Sequence, residues 1–541
     1  MLVVLEAGRW RCSPTSARAV VAHPHHLSLL LFIAAKAMMN AITGFVDSLK
    51  ELFSLTSQML SLSVRVWSLG IMLLLQLLLL LVGLVCLCWV LLKFCMYTLR
   101  KGEPGYLHVA FFHPYCNAGG GGERVLWCAI RALQKKYQNV RCYIYTGDTD
   151  VTPQQILQKA QQRFNVILPR PVEFIFLQSR TLVEAKHYPF VTLLMQSIGS
   201  IILAGEALSK FRPDVYIDSM GYAFTYPVFR YIGGCVVGCY THYPTISTDM
   251  LGQVANRVEA HNNRGFISRN IFFSAMKLGY YHIFALMYAL VGHCADLVMV
   301  NSSWTHGHIT ALWGQAHHTH IVYPPCDTNK FKSLPIIPDS EKKLKKVISI
   351  GQFRPEKDHS LQLRAFQRLC EIIDPDNAQG VQLVLVGGCR NEEDYQRVEN
   401  LKTLASTLGI NDKVVWKLNA TFSELLECVQ NGTIGLHAMW CEHFGICIVE
   451  CMAGGLIMVA NDSGGPKMDI VVEFEGQQTG YRATDPESYA QAMKKVLELT
   501  DEERDRIRIA ARNSVDRFSD DQFEISFLSV SESIFSSAVV S

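Results

Sequence analysis

This chain lacks an excess of charge of either sign. Its 50 Lys and Arg face 48 Asp and Glu, a formal net charge of +2 over 541 residues. That excludes the basic footprint of a nucleic-acid-binding protein, so no nucleic acid is expected among its partners. It also lacks metal-ligand spacing among its 17 cysteines. Many of these, such as Cys142, Cys235 and Cys451, fall inside apolar runs and read as reduced thiols filling a core that faces the cytosol. The G-x-G-x-x-G fingerprint of dinucleotide-binding folds is missing. Residues 66–92 lack charge altogether and are dominated by leucine.

That uncharged run is long enough to span a bilayer as one tilted helix. Lys93, Arg100 and Lys101 follow it, whereas Arg65 stands alone before it. The excess of basic residues on the C-terminal side places the large body of the chain in the cytosol. Residues 1–65 form a poorly defined extension. The first forty carry Arg9, Arg11 and Arg18 with Glu6 as the sole acid, residues 27–35 are too short to span, and 49–62 have the spacing of an interfacial helix.

The remaining length suits two core domains. In the first, an apolar strand at 107–112 runs into H-P-Y-C-N-A-G-G-G-G-E-R-V-L-W, with a helix expected over 123–136. Strand, glycine loop and helix open a nucleotide-type fold, and the glycines let backbone approach a bulky or charged ligand. Apolar runs at 140–146, 172–177, 215–219 and 236–240 alternate with helical stretches, which predicts a parallel sheet covered on both faces. His242 and Asp218 stand at C-terminal strand ends, the edge that faces ligand in such sheets; a structural role stays open for both. Residues 271–300 are apolar and aromatic, and suit a helix in the membrane surface or a core helix better than a second span, since Lys277, His282 and His293 interrupt them; 296–301 then read as a strand. The paired prolines of Y-P-P-C-D at 323–327 mark a hinge, and the lysine-rich 333–346 an exposed linker.

In the second domain V-I-S-I-G predicts a strand, and Arg354 and Lys357 lie three apart on the loop after it. Two cations there neutralise a diphosphate, Arg through its fork and Lys as a point charge. Further strands are expected at 381–387, 414–417, 434–437 and 457–460. A helical stretch should run from 486 to about 518, and a last helix over 522–535 should pack back on the first half. The stretch W-C-E-H-F-G-I-C-I-V-E-C at 440–451 predicts a loop ending near Gly445 and a buried helix over 446–452. Its free backbone N–H groups and positive dipole end suit a diphosphate. Glu450, one to two turns inside, would then reach a hydroxylated part of the same ligand.

G-Q-F-R-P-E-K at 351–357 and E-H-F-G-I-C-I-V-E at 442–450 resemble the G-x-[FL]-x-x-x-K and E-x7-E patterns of family-four GT-B glycosyltransferases. The resemblance covers nearly everything from Tyr106 onward. The runs F-F-H-P-Y-C-N-A-G-G-G-G-E-R-V-L-W, Y-I-D-S-M-G-Y-A-F-T, H-Y-P-T-I-S-T-D-M-L and G-Q-F-R-P-E-K-D-H tighten it to the α-1,2-mannosyltransferases of dolichol-linked oligosaccharide assembly. The fold implied is α/β, GT-B: two Rossmann-like doubly wound domains facing a cleft, with an N-terminal transmembrane helix at 66–92. An acceptor domain would cover 106–330, a GDP-mannose-binding domain 345–515, and a returning helix 516–541.

The activity implied is retaining transfer of mannose from GDP-mannose onto dolichyl-diphosphate-linked Man3GlcNAc2. It adds the fourth and fifth mannoses in turn on the cytosolic face of the endoplasmic reticulum, with no cofactor and no metal. Partners implied are GDP-mannose, the dolichyl-diphosphate oligosaccharide, membrane lipid and other mannosyltransferases of the pathway. By the same resemblance Arg354 and Lys357 hold the diphosphate, Glu450 the ribose and Glu442 the transferred mannose. Phe444 and Gly445 complete the donor site, Gly120 and Gly121 admit the acceptor, and His242 contacts the sugar; His242 and Glu442 are the catalytic pair. Three positions depart from the pattern: Cys441 stands for Asn, Cys447 for Gly and Gly454 for Ala. Cys447 puts a side chain near the expected diphosphate, and Gly454 weakens its helix by about 0.5–1 kcal/mol. A GT-B transferase with another sugar-nucleotide donor, and a non-catalytic membrane-tethered paralogue, remain the competing readings.

Overall fold

The computed structural model describes residues 24–98, 102–247, 250, 271–314, 316–374 and 380–540. Arg9, Arg11, Arg18, Arg100, Lys101 and part of the H-Y-P-T-I-S-T-D-M-L run lie outside them. Contact density divides the chain into a unit up to Val90 and a unit from Leu91 onward.

The first unit is one helix. Helix α1 runs Pro24–Thr98, so the interfacial helix expected at 49–62 is not separate from the apolar run that follows it. No proline occurs between Pro24 and Pro104 to break the backbone ladder, and isolated glycines weaken a helix without ending it. Within α1, Ala35–Phe94 is long and apolar enough to cross a membrane.

The second unit holds two parallel sheets. Its elements begin with β1 (Leu107–Phe112), α2 (Gly121–Lys136), β2 (Val140–Thr146), α3 (Pro153–Phe164), β3 (Glu173–Phe176), α4 (Thr192–Lys210), β4 (Val215–Asp218) and β5 (Val236–Thr241). Next come α5 (Ile271–Gly292), β6 (Leu297–Val300), α6 (Ser303–Trp313), β7 (Thr319–Ile321) and α7 (Thr328–Lys332). The second lobe contains β8 (Lys345–Ile350), α8 (His359–Ile372), β9 (Val381–Gly387), α9 (Glu392–Thr407), β10 (Val414–Leu418), α10 (Phe422–Gln430) and β11 (Gly432–His437). It continues with α11 (Ile446–Ala453), β12 (Ile457–Asn461), β13 (Gly480–Ala483), α12 (Pro486–Glu498), α13 (Asp501–Ser514) and α14 (Asp520–Val540).

Among the described residues the first sheet has the order β3-β2-β1-β4-β5-β6-β7 and the second β10-β9-β8-β11-β12-β13. In each, the order reverses beside one strand pair, β1/β4 and β8/β11. Loops leaving the C-terminal ends of such a pair diverge to opposite faces and leave a crevice for ligand. Residues 113–122 follow β1, 351–358 follow β8 and 438–445 follow β11, so the candidate loops emerge at these reversals.

Strand alternation explains the layers. From β1, Val109 and Phe111 join α2, α3 and α14, whereas Ala110 and Phe112 join α4, α5 and α6. The second lobe divides likewise, with Val347 packing under α8, α9 and α12 and Ile348 under α10 and α11. Helix α14 crosses back to the first lobe, where Phe523, Phe527 and Ile534 enter its core. Asp520 there accepts from Arg124 at 2.8 Å and Arg131 at 3.2 Å.

One expectation needs correction. The stretch from 486 to 518 is not one helix: it breaks at Leu499 and Thr500, where the Thr500 hydroxyl accepts from Glu503 N–H and the Glu503 carboxylate accepts from Thr500 N–H at 2.8 Å. This reciprocal cap starts a new helix rather than continuing the old one. Residues 271–300 form α5 and then β6, the strand expected at 296–301, and α5 is half inside: Phe284 and Tyr288 are buried while Ile283 and Leu286 face outward.

Candidate functional site

The site begins with a lysine turned back on its own strand. The loop after β8 is short because Asp358, at φ +44°, caps α8 by accepting from Leu361 N–H at 3.0 Å. Phe353 is buried and stacks on His359 at 4.8 Å, fixing the loop from below. Lys357 therefore lies along Gly351, where a Cβ would sit 3.6 Å from its Cγ and Cδ. Its Nζ meets Glu442 Oε2 at 2.5 Å.

A second cation meets the same oxygen. His437, the last residue of β11, is buried, and its Nε2 lies 3.2 Å from Glu442 Oε2. Burial alone pushes the imidazole pKa down, but Cys447 and the Glu442 carboxylate outweigh it and raise it to about 9. Burial likewise raises the Glu442 carboxyl, yet His437 and Lys357 more than offset that and hold it well below the usual carboxylate range. Glu442 is thus an ionised carboxylate between two cations.

Its loop is clamped from behind by N-D-S-G-G-P. The Gly465 N–H donates to Glu442 O at 2.8 Å, and Cys441 N–H to Ser463 Oγ at 2.8 Å. At Gly464, φ is +59° and an added Cβ would fall 2.3 Å from Glu442 O. Gly464→Ala is expected to displace Glu442 and reduce turnover roughly 10–100-fold, because small misplacements at a reacting centre are costly. Steady-state kinetics on folded variant would show it; unaltered turnover would mean that this turn does not set the position of Glu442.

Gly445, at φ +114°, caps α11, and the Glu442 Cγ lies 3.5 Å from where its Cβ would be. The free amides at the start of α11 are therefore beside the Lys357–Glu442 pair. Further along α11, no hydrogen bond to the Glu450 carboxyl is found among the described residues, although its backbone carbonyl accepts from Gly454 N–H at 2.9 Å. Burial, with Asp327 adding to it and Arg124 opposing, raises its carboxyl to about 7.

The first lobe supplies the facing wall. His113 bridges Ser219 Oγ at 2.8 Å and Glu123 Oε1 at 3.2 Å, and the other Glu123 oxygen accepts from Gly120 N–H. The glycine loop is so held against the second lobe that a Cβ on Gly121 would come 2.7 Å from Ile446 Cδ1, at the head of α11. His242 Nε2 lies 3.1 Å from Ser219 O and 3.3 Å from where a Gly122 Cβ would be. Burial, with help from His113, lowers its pKa to about 4, so it is a neutral imidazole. Tyr243 stacks on His443 at 5.0 Å, Trp304 lies 5.2 Å from the same ring, and Ser303 N–H donates to Asp469 at 3.0 Å, closing the lobes on each other.

The structure thus gathers Lys357, Glu442 and Gly445 on one side, and Gly120, Gly121 and His242 on the other, with α11's first residue between. Arg354 is not brought onto Glu442: its guanidinium lies 3.7 Å from Glu356, with Nε buried and unpartnered. Phe444 needs correction, since its ring is buried against Tyr323 at 5.9 Å and Phe518 at 5.2 Å. That leaves its backbone, not its ring, on the side of the Lys357–Glu442 pair. Asp218 is a structural carboxylate, accepting from Met220 N–H, Gly221 N–H and Tyr226 Oη. Sequence reasoning passed over His437, His113 and Glu123; the strand-end rule that singled out His242 applies equally to His437. Among the described residues no group of three His, Cys, Asp or Glu side chains suits a metal ion.

Comparison with known proteins places most of the chain in known families. A family model described as "ALG11 mannosyltransferase N-terminus" matches residues 106–313, and one described as "Glycosyl transferases group 1" matches 332–514. The chain is 55% identical over 463 residues to the Xenopus laevis protein named "GDP-Man:Man(3)GlcNAc(2)-PP-Dol alpha-1,2-mannosyltransferase", covering 84% of this chain and 95% of that one. It is 55% identical to the Mus musculus protein of that name (80% and 87% covered) and 46% to the Caenorhabditis elegans one (80% and 92%). Among solved structures, sucrose-phosphate synthase from Thermosynechococcus elongatus superposes with a TM-score of 0.58 at 16% identity, over 80% of this chain and 100% of that one. Anabaena HepE in complex with UDP and glucose gives 0.54 at 16%, with the same coverage. These structural likenesses show the fold alone, the two-lobed GT-B arrangement.

Proposed function

Since the chain belongs to the family of GDP-Man:Man(3)GlcNAc(2)-PP-Dol alpha-1,2-mannosyltransferases, we propose that it transfers mannose from GDP-mannose, in α-1,2 linkage, onto Man3GlcNAc2 carried by dolichyl diphosphate. It does so twice in succession, retains the anomeric configuration, and works on the cytosolic face of the endoplasmic reticulum membrane, held there by α1.

The observation that carries this reading is the Lys357–Glu442 contact at the tip of α11, faced by the glycine loop. Negative charge grows on the departing GDP as the glycosidic bond breaks. Lys357 and the free amides after Gly445 are fixed in place before that charge develops, so stabilising it requires little reorganisation. Arg354, with its Nε unpartnered and its fork 3.7 Å from Glu356, would exchange that carboxylate for the same diphosphate. Glu450, raised to about 7, both accepts and donates hydrogen bonds near neutral pH, which suits the ribose diol. Glu442 holds the mannose, and neutral His242 accepts or donates a hydrogen bond at its hydroxyls. No step needs a metal ion, because fixed cations carry the leaving-group charge.

Full-length protein in detergent, given dolichyl-diphosphate Man3GlcNAc2 and labelled sugar nucleotides, tests it. Two mannoses should be incorporated from GDP-mannose, none of the sugar from UDP-glucose, and a chelator should make no difference. Incorporation from a UDP-sugar instead would assign another donor; none from any donor would make the chain a binding paralogue.

A further inference from the structure

Behind the cleft wall of the first lobe runs a chain of buried polar groups that the transfer reaction has not used. His113, Ser219 and His242 are each the first residue after a strand, β1, β4 and β5, and these strands are neighbours in the sheet. Register puts Phe112 opposite Asp218, so the residues that follow them, His113 and Ser219, meet side by side. His113 Nδ1 lies 2.8 Å from Ser219 Oγ, and its Nε2 lies 3.2 Å from Glu123 Oε1. Burial raises the Glu123 carboxyl, but His113 and the Gly120 N–H outweigh it and lower its pKa. Glu123 is therefore a carboxylate that only accepts.

Each end of this chain touches a part of the site. Glu123 is the third residue of α2, and its second oxygen accepts from the N–H of Gly120, just ahead of the helix. Such a back-bond is usually paired with one from a Ser or Thr hydroxyl at the cap. Glycine has no side chain to supply it, so Glu123 alone ties the loop down. At the other end Ser219 O accepts from His242 Nε2 at 3.1 Å. A carbonyl only accepts, so Nε2 carries the proton. Burial keeps His242 neutral, with a pKa lowered to about 4, and a neutral imidazole has a single N–H. Nδ1 is thus the bare nitrogen, and no group among the described residues hydrogen-bonds it. That narrows His242 to accepting from a sugar hydroxyl.

Buried polar groups are ordinarily paired for their own satisfaction. This set does more, because it closes on itself. It leaves the glycine loop at Gly120, passes through Glu123, His113 and Ser219, and ends on His242. That ring returns to the loop, with Nε2 only 3.3 Å from where a Gly122 Cβ would be.

We propose that Glu123 and His113 are positioning residues: through Ser219 they join the glycine loop to His242, so that the acceptor-side backbone and the tautomer and aim of the imidazole are set as one unit. The proposal rests on the reading of His242 as a sugar contact and of the glycine loop as the acceptor side.

Two near-isosteric breaks test it in the full-length protein. Glu123→Gln replaces one accepting oxygen by an NH2 donor, which then faces the N–H of Gly120 or of the His113 ring. Ser219→Ala removes the hydroxyl and keeps the carbonyl that His242 uses. Each should lower kcat about 10–100-fold, as small misplacements at a reacting centre do. KM for GDP-mannose and GDP affinity should be unchanged, the latter checking the fold. Added to His242→Ala, neither should lower kcat further, because groups that act through one another are not additive. A residue that only stabilises the lobe would multiply the two losses, and that result overturns the proposal. An unaltered kcat in both single variants also overturns it. Amide exchange supplies a readout that needs no transfer. In Glu123→Gln it should rise on peptides covering 117–123 and on those covering 216–222. A rise confined to 117–123 would make Glu123 a helix cap alone and overturn the proposal. Wild-type protein that transfers nothing would sink the enzymatic reading, and the exchange result would still decide this one.

Discussion

Lys357→Ala is expected to reduce mannose transfer by about 10²–10³-fold, or ~2.7–4 kcal/mol, the range found when one preorganised charge-stabilising group is removed from an active site. The loss should appear in both donor affinity and turnover, because Lys357 faces a diphosphate that is charged when bound and more charged as it leaves. The protein should still fold. Glu442 would lose the lysine but keep His437 3.2 Å from the same oxygen, so its carboxylate is not left without a cation. Acid stability carries a separate signature. A carboxyl whose folded pKa is depressed contributes stability above its unfolded pKa, and that contribution is lost as pH falls through the folded value. Removing Lys357 weakens the depression at Glu442, so acid unfolding of the variant should begin at higher pH. Lys357→Arg should not restore transfer, since the guanidinium is broader than the ammonium that runs closely along Gly351. Initial rates with GDP-mannose, GDP calorimetry and acid titration followed by circular dichroism check these outcomes. Undiminished transfer would remove Lys357 from the donor site.

Much of this was visible in the chain because it is written in local chemistry. Apolar runs such as L-H-V-A-F-F and V-Q-L-V-L-V-G alternate with helical stretches, and buried parallel strands need that continuity. Gly445 and the apolar residues after it marked α11 to within a residue of its observed Ile446–Ala453. What stayed hidden depends on side chains meeting across distance. Phe444 was expected at the donor site, but a buried ring follows whichever cavity the fold opens, here beside Phe518. Arg354 and Lys357 are three residues apart and were expected to act together; the turn between them sends one to Glu442 and the other to Glu356. His437 carries no motif of its own, and only the return of the 438–445 loop puts Glu442 over it.

Glu442→Gln should separate holding the donor from transferring its sugar. The amide keeps the size of the carboxylate and removes its charge. In the present structure Glu442 neutralises Lys357, so an arriving diphosphate shares that cation with it. Without the carboxylate Lys357 is free, and GDP should bind as tightly as before or more tightly. Transfer should nevertheless fall by about 10³-fold, the middle of the range for a positioned acid–base or charge-stabilising side chain. His437 gives an independent reading of the same substitution. Its pKa, raised to about 9 in the folded protein, contributes stability that is complete below the unfolded value and lost as pH rises through 9. Wild-type thermal stability should therefore decline over that window. In the variant the imidazole loses one of the two groups that raise it, and the decline should shrink. Parallel loss of GDP affinity and transfer would mean that Glu442 only arranges the donor site. Normal transfer, with the alkaline decline still diminished, would reduce it to a counterion for Lys357 and His437.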